Sequence, residues 1–124
     1  MKLLLILAES ALEPIPDEIR DHPAIRKSAR RRGKDPSELI LDRSLHHFAM
    51  RGLSNSEKRG RPDIVHAALL GALGTPLNRE GLLSVYVHTI GDMVIEVNPI
   101  VRLPKNYNRF IGLMEQLFAS GSVR

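Results

Sequence analysis

The 124 residues predict one mixed α/β unit. Three observations carry that expectation. Short apolar runs at residues 3–8, 82–89 and 93–97 have the length and composition of strands. Stretches at 17–32, 62–74 and 107–118 carry apolar side chains at helical spacing and alternate with those strands. No internal repeat, low-complexity tract or linker divides the chain.

The elements follow in order. Residues 3–8 form six uninterrupted apolar positions closed by Glu9, which suits a strand covered on both faces and is short for a secretory leader. Pro14 and Pro16 mark a loop. Asp17 can cap a helix running to about Arg32, with Gly33 as its stop. Asp35-Pro36-Ser37-Glu38 restarts the chain, and Leu39-Ile40-Leu41 is expected as a short strand. Residues 44–50 are expected to make one or two helical turns, and 52–61 a basic loop. Pro62 and Asp63 suit the first turn of a helix that Gly71 or Gly74 ends. Gly91-Asp92 joins the last two strands as a hairpin. The final helix has Phe110, Ile111, Leu113, Met114, Leu117 and Phe118 on its apolar face and stops at Gly121. An α/β sheet normally continues beyond such a helix, so the ending at Arg124 reads as a truncation.

Composition narrows the function classes. The chain has no Cys and no Trp, with three Phe and two Tyr. Disulfides, thiolate metal sites and Cys nucleophiles are thereby excluded, and a groove that stacks successive bases on rings is disfavoured. No apolar stretch approaches the length of a membrane span. The net charge of +4 is uneven: residues 1–62 hold 13 basic and 9 acidic side chains, and residues 63–124 hold five of each. Clustered positive charge points to a polyanionic partner.

Four segments could carry chemistry. Arg26-Lys27, Arg30-Arg31-Arg32 and Lys34 are six cations without an acid, either a solvated helix face or a phosphate-contacting one. His46-His47 lacks a third ligand at metal spacing and reads as a pair of hydrogen-bonded structural histidines. Arg59-Gly60-Arg61 precedes a helix start, where unpaired backbone N–H groups favour an anion. Arg102, Lys105 and Arg109 lie within eight residues on a loop held by Pro104. Each of the last two is equally readable as a charged surface or as an RNA contact. Glycine-rich nucleotide loops, nucleophile elbows and zinc spacings do not occur.

Seven ordered segments add a resemblance. Leu41-Asp42-Arg43-Ser44-Leu45-His46-His47, Arg59-Gly60-Arg61-Pro62-Asp63-Ile64-Val65-His66 and Leu77-Asn78-Arg79-Glu80-Gly81-Leu82-Leu83 come first. Val85-Tyr86-Val87-His88-Thr89, Ile95-Glu96-Val97-Asn98-Pro99, Arg102-Leu103-Pro104 and Arg109-Phe110-Ile111-Gly112-Leu113-Met114 follow. Together they resemble the ribosome-biogenesis pseudouridine N1-methyltransferases of the SPOUT class, and the short N-terminus is more like an archaeal member than a eukaryotic one.

The resemblance implies a SPOUT-like α/β-knot domain, of which residues 1–124 are the N-terminal part and the C-terminal knot lies outside. It implies S-adenosylmethionine as cofactor, held by residues in that outside segment. It further implies small-subunit rRNA as partner, a homodimer, no metal and a cytoplasmic location. The family's RNA-binding cations fall on Arg61, Arg102, Lys105 and Arg109, with Arg59 beside them. Lys105 stands where the family has an arginine and loses the bidentate fork. The family's important aspartate falls on Asp63. Loss of the N1 proton puts negative charge on the pseudouridine ring and its carbonyl oxygens, which Arg61 is placed to stabilise. Asp63, a weak free base, would orient the N1–H or an arginine. As a plain helix-start acid it would add only about 0.3–1 kcal/mol. The competing reading is a non-catalytic rRNA-binding assembly module.

Overall fold

In the computed structural model, which describes residues 2–121, three strands form one mixed sheet of order β1-β2-β3. β1 (Leu3–Ser10) runs parallel to β2 (Leu83–Thr89), and β3 (Val94–Val97) is antiparallel to β2. Residues 90–92 make the hairpin, with Asp92 at φ +62°, the left-handed residue that three-residue hairpin loops require. The expected end effect at Arg124 falls outside the described residues.

The excursion between β1 and β2 carries four helices: α1 (Pro23–Arg32), α2 (Arg43–His46), α3 (Pro62–Leu73) and α4 (Pro76–Arg79). After β3, α5 (Tyr107–Ser120) closes the described chain. Side chains at period two on β2 explain the burial: Leu83, Val85 and Val87 face inward and meet Val65 and Leu69 of α3 and Phe110, Ile111 and Met114 of α5. A second cluster, separate from the sheet, is built from Ile15, Ile19, Ile25, Ala29, Leu39, Leu41, Met50 and Leu53.

Four expectations need correction. β1 is covered on one face only: Leu5 and Leu7 pack against the first core, while Leu4 and Ile6 are 57% and 53% exposed. The reason is that α3 and α5 both lie against the same side of the sheet. The helix expected over 17–32 is split into a 3-10 turn (Asp17–Ile19) and α1, because Pro23 opens a new helix whose cap is His22, its Nδ1 accepting from the Ala24 N–H at 3.1 Å. Leu39-Ile40-Leu41 pairs with residues 13–15 through a single bridge rather than forming a strand of the sheet. α4, capped by Thr75, arises where no helix was expected.

Candidate functional site

The site begins at the turn before α3. Gly60 has φ +73°, a region that favours glycine. A methyl group there would lie 2.9 Å from Met50 Cε and 3.2 Å from the Arg43 nitrogen. The turn is pinned on both sides: the Arg43 N–H donates to Gly60 O at 2.7 Å, and the Arg61 N–H to Ala11 O at 3.1 Å. This tight passage sends the two flanking arginines in different directions.

Arg59 turns inward. Its Nε and Nη2 donate to the two oxygens of Glu13 at 2.9 and 2.6 Å, and its Nη1 donates to Ser54 O at 3.3 Å. The side chains are only 15% and 12% exposed, so this pair anchors the loop to the segment after β1. The Glu13 hydrogen bonds hold the Arg59 guanidinium more firmly charged than an ordinary arginine.

Arg61 turns outward. Its Nε and Nη2 donate to Asp63 Oδ1 and Oδ2, each at 3.0 Å, with both side chains nearly half exposed. Those bonds, with the first-turn position on α3, lower the Asp63 carboxyl below the usual carboxylate range. Asp63 is therefore ionised throughout the neutral range. Arg61 Nη1 makes no hydrogen bond to the described residues and is left as a spare donor on a side chain 44% exposed.

Three residues that sequence reasoning left without a role complete the surroundings. Asp42, 6% exposed, accepts from the Tyr107 hydroxyl at 2.6 Å through Oδ2, and from the Ser44 N–H and Oγ at 2.9 and 2.7 Å through Oδ1. Burial first, and the Asp42 bond second, push the Tyr107 hydroxyl far above an ordinary tyrosine. Tyr107 is thus a fixed hydrogen-bond donor, and Asp42, Tyr107, Arg61 and Asp63 lie within electrostatic reach of one another. His66, one turn after Asp63 on α3, directs Nε2 at Pro104 O at 2.7 Å and stacks on Phe110 with centroids 4.4 Å apart. A carbonyl only accepts, so Nε2 carries the proton. The Gly-and-Pro signals in the sequence placed the turns but could not show these contacts, which join residues 38 and 65 positions apart.

Through Tyr107 and His66 the segment 102–109 is drawn against the start of α3. Arg102, Lys105 and Arg109 are exposed there, and none has a carboxylate partner among the described residues. Asn106 caps α5 by accepting from the Arg109 N–H at 3.0 Å, and Asn78 donates to Pro99 O at 3.0 Å, which steadies the approach to this loop. His46 is buried and hydrogen-bonded, receiving the Asp42 N–H on Nδ1 at 3.0 Å with Nε2 3.1 Å from Ser28 Oγ; His47 is exposed.

Comparison with known proteins places this geometry in a family. Residues 5–124 match the model of the EMG1/NEP1 methyltransferases. The chain is 59% identical over 119 residues to a protein of Staphylothermus marinus named ribosomal RNA small subunit methyltransferase Nep1, covering 96% of this chain and 52% of that one. It is 57% identical over 121 residues to the protein of that name from Thermococcus kodakarensis, covering 98% and 55%. The crystal structure of Archaeoglobus fulgidus Nep1 bound to S-adenosylhomocysteine superposes with a TM-score of 0.95 at 51% identity, covering all of this chain and 56% of that one. The chain spans about half the length of the relatives it matches. Its α/β fold is that of the matching part of a SPOUT methyltransferase, and the chain belongs to the EMG1/NEP1 methyltransferase family.

Proposed function

We propose that these residues form the RNA-facing part of an S-adenosylmethionine-dependent methyltransferase acting on N1 of a pseudouridine in small-subunit ribosomal RNA. The protein would act in ribosome biogenesis, as a homodimer and in the cytoplasm. The observation that carries this reading is the outward Arg61–Asp63 pair set beside three unpartnered cations on one loop. The names of the relatives and the product-bound neighbour support the reaction class.

The donor, when bound, supplies the methyl group. The residues at hand do not make a full pocket for it. An apolar groove between β3 and α5 is lined by Ile95, Val97, Leu113 and Phe118; its polar side chains are Glu96 and Asn98, with no cation to meet the carboxylate of the donor. The cofactor-binding residues are accordingly proposed to lie outside residues 1–124.

On the RNA side each residue has a definable task. Arg102, Lys105 and Arg109 hold phosphates, which fixes the register of the RNA without reading its sequence. Asp63, ionised and oriented by Arg61, accepts the hydrogen bond of the pseudouridine N1–H and so favours loss of that proton. Arg61 Nη1 faces the charge that then grows on a ring carbonyl oxygen. Arg59, paired with Glu13, keeps the turn in place rather than touching RNA.

Asp63→Asn tests the assignment. In a chain of the relatives' length carrying these 124 residues, turnover should fall about a hundredfold. Stability should fall by at most about 1 kcal/mol, and RNA affinity should hold. Near-normal turnover, or activity that falls in step with the melting temperature, would reject the role of Asp63.

A further inference from the structure

From α2 through the 3-10 segment Ala49–Gly52, ahead of the turn Ser56–Lys58, the chain sends side chains both ways. Ala49 and Met50 point into the second core at 4% and 1% exposure, whereas Leu45 and Phe48 are each 55% exposed. Arg51 places its guanidinium carbon 5.1 Å from the Phe48 ring centroid, and the His47 ring lies 4.1 Å away at a 38° tilt. Arg51 has no carboxylate partner among the described residues, so its charge is free for an anion.

Phe48 follows Leu45 by three residues, and Leu45 links this stretch to the proposed RNA surface. Leu45 lines a cleft together with Arg31, Arg32, Tyr107 and Asn108, and Tyr107 is the residue tied to Asp42 beside Arg61. We propose that Phe48, framed by Arg51 and His47, is a stacking platform for a nucleobase of the RNA outside the methylated nucleotide. The proposal rests on the RNA reading above. A ring half open to water gains from a flat, poorly hydrated partner, and nucleobases stack on aromatic faces and on guanidinium planes. Phe48 carries no hydrogen-bonding group, so the platform accepts any base and supplies affinity rather than sequence choice. The exposed charges on the adjoining turns, Arg51, Lys58 and Glu57, give a net positive rim suited to a phosphate chain.

The test is fluorescence anisotropy with a chain of the relatives' length carrying these 124 residues and a labelled small-subunit rRNA hairpin bearing a loop pseudouridine. Phe48→Ala should weaken binding roughly tenfold, in the range of one lost base–aromatic stack. The slope of affinity against salt and the melting temperature should both hold, and Phe48→Tyr should bind as the parent does. Normal binding by Phe48→Ala while Arg102→Ala is weakened overturns the platform and leaves the RNA reading standing. If neither variant is weakened, the RNA reading falls with it. A Phe48→Ala loss accompanied by a shallower salt slope or a lower melting temperature also overturns the platform, since it would report charge or fold instead of stacking.

Discussion

The end of α1 and the segment leading into α5 carry similar groups of cations, and the fold uses them in opposite ways. Arg32 and Lys34 converge on one oxygen of Glu115 at 2.5 and 2.9 Å, and the carboxylate is only 4% exposed. Arg26 pairs with Asp21 at 3.1 Å. Arg102, Lys105 and Arg109 meet no carboxylate among the described residues. Arg32 and Lys34 tie the end of α1 to α5 across the molecule; the exposed Lys27, Arg30 and Arg31 of the same run meet no carboxylate among the described residues, as in the second group. Arg59 and Arg61, on either side of a single glycine, both meet a carboxylate and differ in exposure instead, the first pair being turned inward and the second nearly half open to solvent. A run of basic residues is therefore a statement about function only after its internal acids have been counted.

Paired substitutions should separate the two regions. Replacing Arg32 and Lys34 together by Ala leaves Glu115 buried without a cation, and urea unfolding should show a loss of about 3 kcal/mol. The salt slope for RNA binding should stay as in the parent. A stable double variant with a shallower slope would place the α1 cations on the RNA and erase the contrast. Conversely, Arg102→Ala and Arg109→Ala should each reduce the salt slope of RNA binding by about one unit and leave unfolding unchanged. Equal slopes in parent and variants would remove that loop from the RNA surface.

A smaller effect belongs to the His46 contact between these regions. Burial pushes its imidazole below the ordinary histidine value of 6.5, and Nδ1 must stay unprotonated to accept the Asp42 N–H. Above about pH 6.5 both folded and unfolded forms are neutral, and nothing is gained or lost. As the pH falls through that value, the unfolded chain takes up the proton and the folded one does not, so stability declines until the lowered folded value is passed. Melting temperatures between pH 7.5 and 5 should therefore fall more steeply for the parent than for His46→Gln. Parallel curves would mean that His46 is not held neutral.

What could be read from the residues alone was the periodic part of the fold. The alternation in Leu83–Thr89, the hairpin at Gly91-Asp92 and the amphipathic stretch ending at Gly121 each depend on neighbours in sequence, and each appears as expected. The split at Pro23 was missed because the apolar spacing runs through it, and the proline signal was outweighed. The open face of β1 was missed because an unbroken apolar run looks the same whether one face or two are covered. The site divides similarly. Arg61 and Asp63 are two residues apart and could be paired on paper, whereas the partners of Arg59 and Tyr107 lie 46 and 65 residues away. Direct pairing over such spans follows from packing, which a single sequence does not display.

His66 and Asp63 occupy neighbouring turns of one helix, and that shared seat has a mechanical meaning. His66 grips Pro104, so the loop with Arg102 and Lys105 is fastened to the same rigid rod that carries the carboxylate. At a rise of about 1.5 Å per residue, the two attachment points are separated by roughly 4.5 Å along the axis. The helix thereby works as a gauge block: any shift of α3 carries Asp63 and the loop of Arg102 and Lys105 together. An RNA seated on that loop would meet Asp63 at a constant offset, set by three residues of helix instead of by the many bonds of the intervening chain.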